Sequence, residues 1–388
     1  MANSFCKGER FKLKKQIKIL FISAPIGSGH IRAAQSIQQA LNEHRPDLET
    51  KLTNVFDFFN PKLGKTILNA YLKILKLYPQ AYGMAYSWGN NSRFALWGRR
   101  LISQYLANRM RQYIQSYNPS VIVCTHATPA GLVANLRQRG LLHIPVIGVV
   151  TDFTIHRLWI YPELTHYYIA QEGIQNSLAD YGIPLNQSSV SGIPIMRQFT
   201  NRQDKASALR ALGLNEHANT VLIMGGGAGI MPLDQIVQVC CEIETTIQLI
   251  VVAGHNQTMY NKLSKIKSTT NKSIRLYGYT DNIHELMGVA DLLISKPGGV
   301  SSAEALAAGL PLVIFKPIPG VEEANTEYLI HTGAAVRADN LKEVKELVQE
   351  LLQNSQHRER MQNLSSAAGK PQAAASIAAG ILSMLEQQ

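Results

Sequence analysis

Residues 17–41 read "IKILFISAPIGSGHIRAAQSIQQAL". An apolar run, Ile17 to Ile22, meets a turn holding Gly27, Gly29 and His30, and a helix-like stretch follows. Strand, glycine turn and helix in that order open an α/β unit, and such a turn commonly cradles a phosphate. The order recurs at "TVLIMGGGAG", 220–229, and at "DLLISKPGG", 291–299. Further apolar runs, among them "VIVCTH" at 121–126, "PVIGVVTD" at 145–152, "IQLIVVAG" at 247–254 and "PLVIFKP" at 311–317, alternate with helical patterns. Several are apolar almost throughout, as parallel strands covered by helices on both faces should be. The series pauses after "SGIPIMRQF", 191–199, for the polar segment 200–219, and then restarts. The expected fold is α/β, with two doubly wound Rossmann-like domains facing a cleft. Residues 1–198 form the first domain and 199–371 the second, and an Ala-rich helix at 372–388 is expected to rejoin the first.

At 388 residues with 46% apolar content the chain can bury two cores of ordinary size. No apolar run reaches the roughly 20 residues of a membrane span. The stretch "KGERFKLKKQIKILFISAPIG" resembles a signal peptide, but its apolar part is short and enters the glycine turn directly, so it reads as a first strand. Cys6, Cys124, Cys240 and Cys241 show no CxxC spacing, which suits a reducing, cytoplasmic setting.

Net charge is +11, and its placement is informative. From Phe58 to Thr151 there is no Asp or Glu, while eleven of the 38 Lys and Arg fall there, leaving 27 to face the 27 acids elsewhere. The same segment is rich in Tyr and carries Trp88 and Trp97. Basic residues mixed with aromatic and aliphatic ones suit an anionic membrane surface. A solvated basic helix face is the plainer alternative; nucleic acid is the third, and is not expected.

None of the glycine turns fits G-x-G-x-x-G: Arg32 and Ile230 occupy the third glycine positions, which argues against a dinucleotide site. "GKT" at 64–66 lacks its upstream glycine, Phe59 standing there, and follows no strand. What remains is backbone N–H groups at helix starts, able to bind a diphosphate. In "SKPGGVSSAEAL", 295–306, Ser301 and Ser302 read as N-caps of a helix with Glu304 in its first turn. Glu304 is then either a partner for a vicinal diol or an ordinary capping-box acid. Glu322, Glu323 and Asn325 follow the next strand, able to bind sugar hydroxyls or simply to favour a helix start.

Taken together, "GSGHIRAAQSI" (27–37), "THATP" (125–129), "VVTDFTIHRLWIYPELTHYYIA" (149–170), "SGIPI" (191–195), "MGGGAG" (224–229), "GYTDNIHELMGVADLLISKPGGVSSAEALAAGLPLV" (278–313) and "PGVEEANTEYL" (319–329) resemble glycosyltransferase family 28. The likeness is to the branch of monogalactosyldiacylglycerol synthase and the processive diacylglycerol glucosyltransferases, across roughly residues 16–350. It implies the two-domain GT-B fold and an inverting transfer of a hexose from a UDP-sugar to diacylglycerol or a related lipid. It implies Gly225, Gly226, Gly227, Lys296, Gly298, Gly299 and Ser301 near the diphosphate, and Tyr279 and Thr280 at the uracil. Glu304 is implied at the ribose, with Glu322 and Asn325 facing the sugar. The family usually has Gln where this chain has Val321, which removes a polar sugar contact.

The acceptor hydroxyl must lose a proton as it attacks, so a base is needed. His30 and Asp152 are the candidates. A lone histidine after a glycine turn is by itself more often a loop residue; the resemblance raises its weight. A helix N-terminus helps keep His30 neutral. His126, His156 and Trp159 are weaker acceptor-side candidates, Trp159 being equally readable as core. No HExxH or DxD pattern implies a metal, and no cofactor is expected; Mg²⁺ is not implied. The expected location is cytoplasmic, peripheral on the inner membrane face. The rivals are a transferase with another acceptor and a non-catalytic nucleotide-sugar sensor or membrane adaptor. The 2-epimerases of UDP-N-acetylglucosamine share the architecture, but their first-half motifs are absent.

Overall fold

The computed structural model describes residues 16–25, 27–58, 108–200, 204–226 and 231–387. The first sheet holds β1 (Lys18–Ser23), β2 (Glu49–Asn54), β3 (Val121–Cys124), β4 (Val146–Val149), β5 (His166–Ile169) and β6 (Ser188–Val190), in the order β2-β1-β3-β4-β5-β6. The second holds β7 (Asn219–Met224), β8 (Ile247–Val252), β9 (Ser273–Tyr277), β10 (Leu292–Ser295), β11 (Leu312–Phe315) and β12 (Ala335–Ala338), in the order β12-β11-β10-β7-β8-β9. Every pairing is parallel. The central strands are apolar and hidden: "VIVC" of β3 and "LLIS" of β10 are buried throughout. Each buried Val, Leu or Ile contributes about 1.5–3 kcal/mol. These are two Rossmann-like halves, the GT-B arrangement.

Strand order reverses between β1 and β3 in one sheet and between β7 and β10 in the other. Ligands of open α/β sheets bind outside the carboxyl ends of strands at such switch points. Here the two switch points face each other. One continuous apolar cluster joins Leu20, Ile22, Val150 and Phe153 of the first half to Met224, Leu293, Val300 and Leu306 of the second. The helix Gly29–His44 after β1 packs on the helix Gly299–Ala307 after β10. The two halves are therefore in contact along the line where the cleft was expected.

The C-terminal helix Ala373–Glu386 leaves the second sheet and lies on Gly29–His44, burying Ile377, Ala378 and Ile381 with Ile37 and Leu41. The chain thus passes between the halves twice, after β6 and again after the helix Ser355–Ala368. The two passages touch: Gly192 has φ +90°, and a Cβ there would lie 2.6 Å from Lys370 Cβ.

Among the described residues no helix is long and apolar enough to cross a membrane. Lys62, Lys65, Lys73, Lys76, Trp88, Arg93, Trp97, Arg99 and Arg100 of the acid-free segment lie outside the described residues. Of its described part, 108–117 is helical, and there Tyr113 Oη meets Thr53 Oγ1 of β2 at 2.9 Å and Lys51 lies over the Tyr113 ring.

Candidate active site at the domain junction

His30 is the second residue of the helix that follows β1, beyond the left-handed turn at Gly27 (φ +80°). Its Nδ1 lies 3.0 Å from the Thr125 carbonyl and 2.7 Å from Thr151 Oγ1. A carbonyl only accepts, so Nδ1 carries the proton and donates, which leaves the Nε2 lone pair free to take one. Burial pushes the His30 pKa down, against the pull of the Asp152 charge and of the Thr125 carbonyl. The Thr125 hydroxyl sits 2.9 Å from both Ser23 Oγ and the His30 carbonyl, tying β1, β3 and the helix start together. His126 meets the His30 ring edge-on, centroids 4.7 Å apart. Its Nδ1 accepts the Thr128 N–H and so caps the helix Ala127–Gln138. Burial, and then the nearness of His30 and His156, holds His126 neutral far below the ordinary histidine range. His156 opens the short turn Arg157–Trp159. Trp159 is a core residue at 2% exposure, its carbonyl accepting the Tyr167 hydroxyl.

Asp152 follows β4 and faces the second half. Asn325 Nδ2, on the helix Val321–His331, donates to Asp152 Oδ1 at 3.0 Å. Burial raises the Asp152 pKa; the His30 charge and the Asn325 hydrogen bond oppose that rise. Asn325 is wholly buried, and its remaining bonds go to the Phe153 N–H (2.9 Å) and the Pro297 carbonyl (3.1 Å). Its amide, expected at a sugar, is engaged between the domains. Glu322 is also occupied: Oε1 pairs with Lys296 Nζ at 2.5 Å and Oε2 accepts the Ile318 N–H at 2.8 Å.

The glycines at the junction serve close approach. A Cβ on Gly299 would overlap the Thr151 carbonyl oxygen, and one on Gly29 would sit 3.3 Å from Val300 Cγ2. Gly226 has φ +72° and lies beneath the Lys296 side chain, whose Cε would be 3.0 Å from a Cβ there. The Gly225 N–H is bonded to the Val252 carbonyl. Gly227 lies outside the described residues.

The helix after β10 starts earlier than the serines suggested. Gly298 is its N-cap and Gly299 its first residue, so Ser301 and Ser302 lie inside it and no acid occupies the first turn. Glycine caps tolerably and the turn at Pro297 sets the start, so serine preference misplaces it. Glu304 is consequently no capping acid. It is 1% exposed, and neither carboxylate oxygen has a hydrogen-bond partner among the described residues. Burial raises its pKa to about 7, opposed only by the charge of Arg32 on the facing helix. Buried polar groups are normally paired, so Glu304 has the form of a group awaiting a ligand that donates two hydrogen bonds. Nearby on the second half, Tyr279 is exposed, stacked on His255 at 4.2 Å and bonded to Asp281, and it too feels the Arg32 charge. Thr280 Oγ1 accepts the Asn282 N–H.

Residues 30–195 match the family model for monogalactosyldiacylglycerol synthase, and residues 204–367 that for glycosyl transferases group 1. A processive diacylglycerol β-glucosyltransferase of Bacillus pumilus is 30% identical over 356 residues, covering 90% of each chain. Its namesake from Bacillus licheniformis is 30% identical over 339 residues, covering 86% of each. The chain belongs to the processive diacylglycerol glucosyltransferase branch of glycosyltransferase family 28. The glycosyltransferase shares its fold with the UDP-GlcNAc 2-epimerase of Neisseria meningitidis solved with UDP-GlcNAc, at a TM-score of 0.64 and 14% identity, over 95% of this chain and 100% of that one.

Sequence reading of this glycosyltransferase missed Arg32, Thr151, Phe153 and Tyr328. Arg32 figured only as the residue displacing a third glycine. Nothing local to the sequence marks it, because the Glu304 carboxylate that feels its charge comes from the other half. Phe153 stacks on Tyr328 at 4.6 Å across the junction, a pairing between residues too distant in sequence to suggest each other.

Proposed function

We propose that this glycosyltransferase moves a hexose from a UDP-sugar to the free hydroxyl of diacylglycerol with inversion, at an anionic membrane surface on the cytoplasmic side. The observation that carries the reading is the meeting of the two switch points. His30 and Asp152 come from one half, and the unpartnered Glu304 with Lys296 from the other. The names of the Bacillus relatives supply the acceptor, diacylglycerol, and a hexosyl group as what is transferred.

In this reading the acceptor hydroxyl attacks the anomeric carbon while its proton passes to His30 Nε2. The bond from that carbon to the diphosphate oxygen breaks, and UDP leaves. Asp152 stabilises the charge that His30 gains. The Lys296 ammonium and the N-terminus of the Gly299–Ala307 helix meet the charge that develops on UDP. Glu304 accepts the two ribose hydroxyls, with the uracil beside Tyr279 and Thr280, and Glu322 faces the sugar once Lys296 turns to the diphosphate. Val321 offers the hexose no hydrogen bond. The basic, aromatic segment 58–117 provides the membrane face, and no resident cofactor or nucleic acid is required.

The test offers a panel of UDP-hexoses with diacylglycerol in mixed micelles, with and without anionic lipid, and identifies the product by mass and anomeric configuration. One UDP-hexose should yield an inverted glycolipid, faster with anionic lipid. His30→Ala should reduce turnover by about 10²–10⁴-fold, the usual worth of a general base. Full turnover in a folded His30→Ala protein removes the histidine from the mechanism, and no product with any donor overturns the reading.

A further inference from the structure

We propose that Asn325 is a positioning residue that orients the Asp152 carboxylate when the two halves are closed and releases it when they part. The proposal rests on the reading of Asp152 as part of the catalytic machinery. A side-chain amide has two N–H donors and one carbonyl. Both donors of Asn325 are spent, on Asp152 Oδ1 at 3.0 Å and the Pro297 carbonyl at 3.1 Å, and its carbonyl takes the Phe153 N–H at 2.9 Å. Asp152 and Phe153 belong to the first half, while Asn325 and Pro297 belong to the second. One fully buried side chain therefore ties the loop after β4 to the turn after β10.

Two neighbouring features hold the same loop. Tyr328, one helical turn beyond Asn325, stacks on Phe153 at an interplanar angle of 13°. Gly299 leaves room for the Thr151 carbonyl, which any side chain would displace. The residues 151–153 are thus clasped from the second half at three successive positions. Opening the junction separates every one of these partners, because none lies on the same half as the loop. Asp152 would then lose the Asn325 hydrogen bond, and with it a fixed rotamer.

The groups facing Asp152 set the direction of the effect. His30 comes from the helix after β1, Lys296 from the turn after β10, and Glu322 and Asn325 from the helix Val321–His331. His30, Lys296 and the Asn325 N–H favour the carboxylate; burial and Glu322 favour the acid. Removing the amide donor moves the balance toward the acid, so the acidic limb of the rate profile moves to higher pH. Asn325→Asp goes further, because it keeps the acceptor for the Phe153 N–H but sets a second carboxylate against the first.

The experiment measures kcat and donor KM for Asn325→Ala and Asn325→Asp in the full chain from about pH 5 to pH 9. In parallel it follows hydrogen exchange at the Phe153 amide. The expected result for Asn325→Ala is a fall in kcat of about tenfold or more, donor KM within about threefold, and an acidic limb raised by about one pH unit. In Asn325→Asp the limb should rise further. The Phe153 amide should be protected in the native protein and exchange faster in Asn325→Ala. A raised donor KM with altered hexose preference and an unmoved limb would put the amide on the sugar and overturn the proposal. Equal loss at every pH would reduce it to a structural contact and overturn it as well. If Asn325→Ala does not fold, the near-isosteric Asn325→Asp decides. Absence of transfer by the native protein with any UDP-hexose would defeat the functional reading instead. The exchange rate at Phe153 would then still show whether the amide clasps the loop.

Discussion

Glu304 and Asn325 stand on consecutive helices of the second half, equally hidden at 1% and 0% exposure, and they are opposites in hydrogen bonding. Asn325 has both N–H groups and its carbonyl paired. Glu304, an ionisable group and so more costly to hide, has neither oxygen paired among the described residues. A buried polar group that is satisfied holds the fold together; one left unsatisfied weakens it and persists where something else selects for it. On the proposed reading the contrast separates two roles: Asn325 would serve the closed arrangement, and Glu304 a guest.

The contrast breaks most readily at Asn325. Asn325→Leu strips the Phe153 N–H, the Pro297 carbonyl and Asp152 of their partner, and should cost about 3–5 kcal/mol of stability, seen as a lowered chemical-denaturation midpoint. Glu304→Leu should do the reverse: a raised melting temperature, because a desolvated carboxylate is gone, with UDP affinity down by about 30–100-fold by calorimetry. If Glu304→Leu is instead the destabilising change of the two, the contrast is wrong.

A finer measure follows from the Glu304 pKa of about 7. The free carboxyl is half protonated at neutral pH, whereas a carboxylate accepting two hydroxyls is ionised. UDP binding near pH 7 should therefore release roughly half a proton, and affinity should fall as pH drops below that point. Calorimetry in buffers of different ionisation enthalpy reads the release, which should vanish in Glu304→Leu. The smallest expected effect belongs to Arg32→Gln. Losing that cation raises the Glu304 pKa further, so UDP affinity should fall by about threefold at pH 7 and recover at higher pH.

Much of this molecule was legible in advance because its central strands are apolar on both faces. "VIVC" and "LLIS" have no other plausible fate than the middle of a sheet. The glycine turns were legible as turns, but not in purpose. Gly299 is glycine because the carbonyl of Thr151 presses on it, and nothing local to "SKPGGVSS" announces a neighbour from the other half. The helix start was misread as well: serine is a strong cap, yet the turn at Pro297 seats Gly298 there. Of the two readings open for Glu304, capping acid or partner for a diol, the observed helix start removes the first. Asn325 stands among acids that read as sugar-facing, and no local pattern marks its partners Asp152 and Phe153, which come from far earlier in the chain.

The side-by-side passage of Gly192 and Lys370 limits how such a molecule can move. Two covalent connections set far apart would brace the halves against turning. Set together, they define a single axle: rotation about it hardly stretches either connection, while points remote from it travel farthest. Only the non-covalent contacts of the junction then oppose opening. A substitution at Gly192 that wedges the connections apart would alter the swing of the halves without touching a single group in the site.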